Sequence, residues 1–178
     1  MKILRKILEY LRGEPQHLEK LLKRGLKVGA NFKRMGGVII DPSHCYHITI
    51  GDDVILAPRV HILAHDSSFG LFTGQTRAAN VSIGNKVFVG AGSIILPGVH
   101  IGSNVIIGAG SIVTHDIPDN SVAAGNPARV ICPLESYLEK ENTKMRPENT
   151  FKGLWWKYPD RIAQAVAAAD KYGEIFVS

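Results

Sequence analysis

The chain has 178 residues, 45% hydrophobic and 21% charged, which fits one ordinary domain and excludes both a disordered chain and a membrane-spanning composition. Lysine and arginine exceed aspartate and glutamate by 21 to 16, a net charge of +5. That balance suits an anionic ligand, but no basic stripe is interleaved with aromatics, so nucleic acid is set aside as a partner. Aromatics are only 7%, whereas Ile and Val supply 33 residues, 26 of them between Val38 and Ile131. The core is therefore expected in the middle of the chain, built from small branched side chains.

In chain order, Ile3, Leu4, Ile7, Leu8 and Leu11 trace one face of a short N-terminal helix. Lys6 and Glu9 break any signal-peptide core, so the helix is read as docking on its own domain rather than on a membrane surface. A cytoplasmic protein follows from that reading. Residues 1–36, with the basic Lys20–Arg34 stretch, are expected to form an N-terminal capping segment.

From Ile83, branched aliphatics recur every sixth residue: Ile83, Val89, Ile95, Ile101, Ile107 and Val113. Gly follows four of the six, and four residues after each stands Val87, Ser93, Val99, Val105, Ser111 or Ile117. A helix cannot hold a period of six on one face, and a flat sheet would show a period of two. Period six means short strands joined by turns at fixed intervals. Three strands make an 18-residue triangular coil, and such coils stack about 4.8 Å apart. Gly or Asn at the corners supplies a positive φ at little steric cost, a need that Asn85, Asn104 and Asp53 fit. Ile50, Leu56 and Ile62 begin the same pattern earlier. Between Ile62 and Ile83 the spacing is not a multiple of six, so residues 66–80 are read as a loop thrown out from one corner. The coil is expected over 37–131. Beyond it, residues 132–178 are read as a helical extension, with LESYLEKEN and the stretch after Pro159 as helices that cap the last coil. Cys45 and Cys132 form no pair motif and are read as small buried hydrophobes.

The run IGNKVFVGAGSIILPGVHIGSNVIIGAGSIVTHDIPDNSVAAGNPARVI resembles the hexapeptide-repeat acyltransferases. It is most similar to the galactoside and maltose O-acetyltransferases and to the polysaccharide O-acetyltransferases. The stretch DPSHCYHITIGDDVILAPRVHILAHD resembles the polysaccharide-modifying members. The resemblance implies a left-handed parallel β-helix, a homotrimer with active sites between subunits, acetyl-CoA as donor, and a histidine as general base on an acceptor hydroxyl. A sugar in surface polysaccharide or glycolipid assembly is the acceptor it implies.

Acyl transfer from a thioester to an alcohol needs a base, oxyanion donors and two substrates held together. Of the seven histidines, His65 stands immediately before the excursion, where the family's catalytic histidine falls, and is the expected base. Asp66 follows it and either orients the ring, binds the acceptor or forms a turn. Counting back one ideal coil from His65 reaches His47, which with His44 is a candidate for the acceptor pocket. The family's coenzyme contacts carry over onto Ala91, Ala109, Thr114 and Arg129, with His115 where Lys is common. Ala91 stands where the sugar-modifying relatives often have Ser, leaving only a backbone contact. No GxSxG motif is present, so transfer is expected to be direct. No metal is expected. Three alternatives stand beside this reading: N-acylation of an amino sugar, a zinc carbonic anhydrase-like trimer suggested by His61 and His65, and a non-catalytic β-helix module.

Overall fold

The computed structural model describes residues 18–154 and 157–178. The helix expected around Ile3–Leu11 lies outside the described residues, as does His17. The chain divides after Leu134 into two compact units.

The first unit is a three-faced stack of short parallel strands. Its first face runs through Lys27–Val28, Ile48–Ile50, Val81–Ile83 and His100–Ile101. The second runs through Lys33–Arg34, Ile55–Leu56, Val87–Val89, Val105–Ile107 and Ser121–Gly125. The third runs through Ile39–Ile40, His61–Ile62, Ile94–Ile95 and Ile112–Val113. The period of six is the reason. Ile83, Val89, Ile95, Ile101, Ile107 and Val113 are all buried, as are the residues four places after each. Every third of a coil thus turns one branched side chain and one small side chain inward. Val87 pairs with Val105 and Ile94 with Ile112, a true 18-residue repeat.

The corners carry the geometry the turns demand. Between the first and second faces stand Asn31, Asp53, Lys86, Asn104 and Asn120, each at a φ of 54° to 57°. Asn31 donates to the Asp53 carboxylate at 2.9 Å, and Asn104 to the Asn120 side chain at 3.0 Å. Asn85, expected at this corner, yields it to Lys86; its own side-chain oxygen instead accepts the Asp52 amide at 2.8 Å. Glycine is required where consecutive turns nearly touch: a Cβ on Gly90 would lie 2.4 Å from the Ala109 nitrogen.

Two features differ from the sequence reading. The strands at Lys27–Val28 and Lys33–Arg34 already form a coil, ahead of Gly37. Their short polar sequence hid them, because only Val28 of the four is apolar. Second, Ala128–Pro133 folds back antiparallel on Ser121–Gly125 and covers that edge of the second face. At the other end, the helix Leu18–Lys23 places Leu21 in the same buried cluster as Leu26 and Cys45. Cys45 is buried as expected, whereas Cys132 is only half-buried.

The helix Leu134–Asn142 leads into the second unit. There, Phe151 packs with Ala165 and Ala168 of the helix Pro159–Tyr172, and Thr150–Phe151 pairs with Phe176–Val177. Both C-terminal helices fall where the sequence places them. Among the described residues, no helix is long and apolar enough to cross a membrane.

Lys86 is exposed and pays for a left-handed backbone that Asn adopts more readily. Lys86→Asn is expected to stabilise the protein by about 1 kcal/mol, read as a higher midpoint in urea unfolding.

Candidate active site

The corners after the first and second faces are constant in length; all variation falls at the corner between the third face and the first. Ser82 pairs with His100, 18 positions on, but Thr49 pairs with Ser82 and Lys27 with Thr49. The extra residues leave the coil after Ile40 and after Ile62, one level apart. The second excursion is the expected loop: His65–Asp66 pairs antiparallel with Arg77–Ala78, and a short helix, Gly70–Thr73, forms its tip.

Asp41 opens the first excursion. Its amide still donates to the Ile62 carbonyl, so the backbone is in register there. Its side chain is turned inward and is 1% exposed. One carboxylate oxygen accepts from the Ser43 amide at 3.0 Å, the Ser43 hydroxyl at 2.9 Å and the His44 amide at 3.0 Å. The other accepts from the Ala64 amide at 3.0 Å and from Nδ1 of His65. Five donors thus converge on one buried carboxylate. Burial pushes its pKa up, but the bond from His65 and those from Ala64, His44 and Ser43 outweigh burial and hold it below the ordinary carboxylate range. An ionised carboxylate can only accept, so His65 donates through Nδ1, and in the neutral imidazole the lone pair is then on Nε2. The His65 side chain is 30% exposed.

His44 belongs to the same constellation, its ring centroid 4.5 Å from that of His65. His47 does not lie beneath His65. The first excursion lengthens that coil, so the position one level below falls on the Asp41–His44 segment, and His47 Nδ1 meets the Asn80 side-chain oxygen at 2.8 Å. Asp66 is engaged within the loop, accepting the Ser68 amide at 2.8 Å and facing Arg77 at 4.0 Å. Those contacts make it a turn residue. Asp41 was missed by sequence reasoning. Its signal is the Asp-Pro-Ser turn directly after the buried Ile40, legible as a turn but not as the partner of His65.

Asp41, His44 and His65 bring potential ligand atoms within 4.8 Å of one another. Asp41 is the poor member of that donor set, because both its carboxylate oxygens are already committed to hydrogen bonds.

The coenzyme candidates fall on two corners. Ala91 and Ala109 are exposed and stacked on successive coils before the third face, where Gly110 donates its amide to the Ala91 carbonyl at 2.8 Å. Thr114 and His115 lie after that face, on the corner His65 occupies lower down, with 2.7 Å between the Thr114 hydroxyl and His115 Nδ1. Arg129 stands opposite Ala124 on the terminal hairpin and donates to the Ala128 carbonyl at 2.9 Å. Within one chain, then, the third face separates His65 from Ala91 and Ala109.

Residues 80–115 match the family model described as bacterial transferase hexapeptide (six repeats). The chain is 42% identical over 130 residues to protein CapG of Staphylococcus aureus, covering 68% of this chain and 74% of that one. Among solved structures, a maltose O-acetyltransferase from Clostridium difficile 630 is 34% identical, with a TM-score of 0.53 over 72% of this chain and 83% of its own. A galactoside acetyltransferase in complex with coenzyme A is 32% identical, with a TM-score of 0.52 over 76% of this chain and 82% of its own. The chain therefore belongs to the hexapeptide-repeat acyltransferase family and is an enzyme of the acetyltransferase kind.

The depressed pKa of Asp41 has a consequence for stability. The folded carboxyl binds a proton more weakly than the unfolded one, so the unfolded chain takes up more protons as acid is added. This contribution is complete above the unfolded value, about 4, and is lost as pH falls below it. Asp41→Asn is expected to lower the urea midpoint at neutral pH. Between about pH 5 and pH 2, its midpoint is expected to fall less than that of the unaltered protein.

Proposed function

We propose that this protein transfers an acetyl group from acetyl-CoA to a sugar hydroxyl, with His65 as general base, in the assembly of a surface polysaccharide or glycolipid. The observation that carries this reading is the Asp41–His65 pair: a buried, ionised carboxylate fixes the tautomer and direction of a half-exposed imidazole. The similarity to a galactoside acetyltransferase in complex with coenzyme A and to a maltose O-acetyltransferase supports the donor and the acceptor class.

In this mechanism, Nε2 of His65 takes the proton of the acceptor hydroxyl as its oxygen attacks the thioester carbonyl. Asp41 stabilises the imidazolium that results. The tetrahedral intermediate collapses by breaking the carbon–sulfur bond, and the proton held by His65 passes to the departing thiolate. Ester and free thiol are the products. No acyl-enzyme is needed, and Cys45 is too deeply buried to form one.

The remaining parts follow from the corner geometry. Ala91 and Ala109 leave backbone groups open to the amides of a pantetheine arm, and Arg129 offers a planar fork to phosphate. Since one chain holds these corners on opposite sides of its third face, the reading requires a neighbouring subunit to bring an alanine corner to His65. A homotrimer of left-handed coils, the family's assembly, meets that need. A thioester donor and two free cysteines suit a cytoplasmic enzyme.

The test is thiol release from acetyl-CoA with a panel of sugars and amino sugars. His65→Ala is expected to cut turnover by roughly 10² to 10⁴-fold; full turnover in that variant would overturn the mechanism.

A further inference from the structure

The first excursion does more than place Asp41. Its remaining residues form a run of rings leading away from His65. The His44 centroid is 4.5 Å from His65 and 5.8 Å from Tyr46, and Tyr46 is 4.7 Å from His47. His44 and His47 lie nearly parallel, 6.4 Å apart with 16° between planes. These rings are not core. Tyr46 is 51% exposed, and it reaches the His65 ring through His44, which touches both.

Both ends of the run are anchored. Asp41 holds the Ser43 and His44 amides, while His47 is tied to Asn80, where the second excursion rejoins the coil. Beneath Tyr46, Gly25 leaves the space the side chain uses: a Cβ there would stand 2.9 Å from Tyr46 Cβ. The shelf is therefore fixed before any ligand arrives, which reduces the ordering cost of binding.

We propose that Tyr46, flanked by His44 and His47, is the acceptor-binding platform, stacking the C–H face of the sugar ring so that one hydroxyl reaches Nε2 of His65. A pyranose has one face of axial C–H bonds and a rim of hydroxyls. An aromatic face takes the first, and Asn80 with the imidazole nitrogens can meet the second. This inference rests on the sugar-acceptor reading above and adds the residue that selects for a ring. Tyr46 acts on binding and takes no part in proton transfer.

The experiment uses the full-length assembled protein and thiol release at saturating acetyl-CoA, with methyl glycosides of galactose, glucose and N-acetylglucosamine as acceptors. With whichever glycoside is acetylated, Tyr46→Ala is expected to raise the acceptor KM roughly 10-fold. The kcat and the KM for acetyl-CoA should hold, and Tyr46→Phe should stay within about 2-fold of the unaltered enzyme. An unchanged acceptor KM in Tyr46→Ala overturns the platform while leaving the sugar reading intact. So does an altered assembly by light scattering, which would make Tyr46 a subunit contact. If the unaltered enzyme acetylates no glycoside, the sugar reading falls, and the platform falls with it.

Discussion

The candidate site depends on one buried carboxylate. Asp41 collects five hydrogen bonds from residues on two consecutive levels of the coil, and nothing else among the described residues binds those levels at that corner so densely. A carboxylate at 1% exposure is costly to bury, and only this number of donors offsets the cost. The same bonds do two jobs. Those from Ser43, His44 and Ala64 tie two levels of the coil together, and the one from His65 fixes which ring nitrogen faces the carboxylate. Stability and chemistry are thereby coupled through a single group.

The coil itself was legible in the sequence because its cause is local and periodic. Ile83 to Val113 repeat without a break, and each buried position follows from that register. The slip between Ile62 and Ile83 is legible in the same way, whereas the shorter one after Ile40 is not. Eighteen positions before His65 stands His47, but the few extra residues after Ile40 bring the Asp41–His44 segment beneath His65 instead. Asp41 was hidden for the same reason: its partner lies 24 positions away, a separation set by the excursion and not by the repeat. Lys27–Arg34 escaped because a coil strand whose inward face is closed by Val28 and Phe32 has little hydrophobic pattern to show. Lys86 at a corner expected for Asn85 is a shift of one residue, within the tolerance of any turn assignment.

Separation of the candidate residues is also informative. Ala91 and Ala109 serve the corner before the third face, His65 and His44 the corner after it. No bend of the chain unites them, since the strands between are paired above and below. On the proposed mechanism, a cleft that holds both sets would have to come from packing one coil against another.

One corner absorbs every change of length in this protein, while the other two repeat their spacing level after level. That arrangement divides the molecule into a part that counts and a part that improvises. Extra residues at the third corner shift no inward aliphatic: Ile50, Ile83 and Ile101 are all buried on the first face after gaps of different length. Length at the third corner therefore varies at the modest entropic cost of closing a longer loop, and the two excursions it admits supply both Asp41 and the His65 it holds: the corner that leaves the repeat is the one that carries the buried charge.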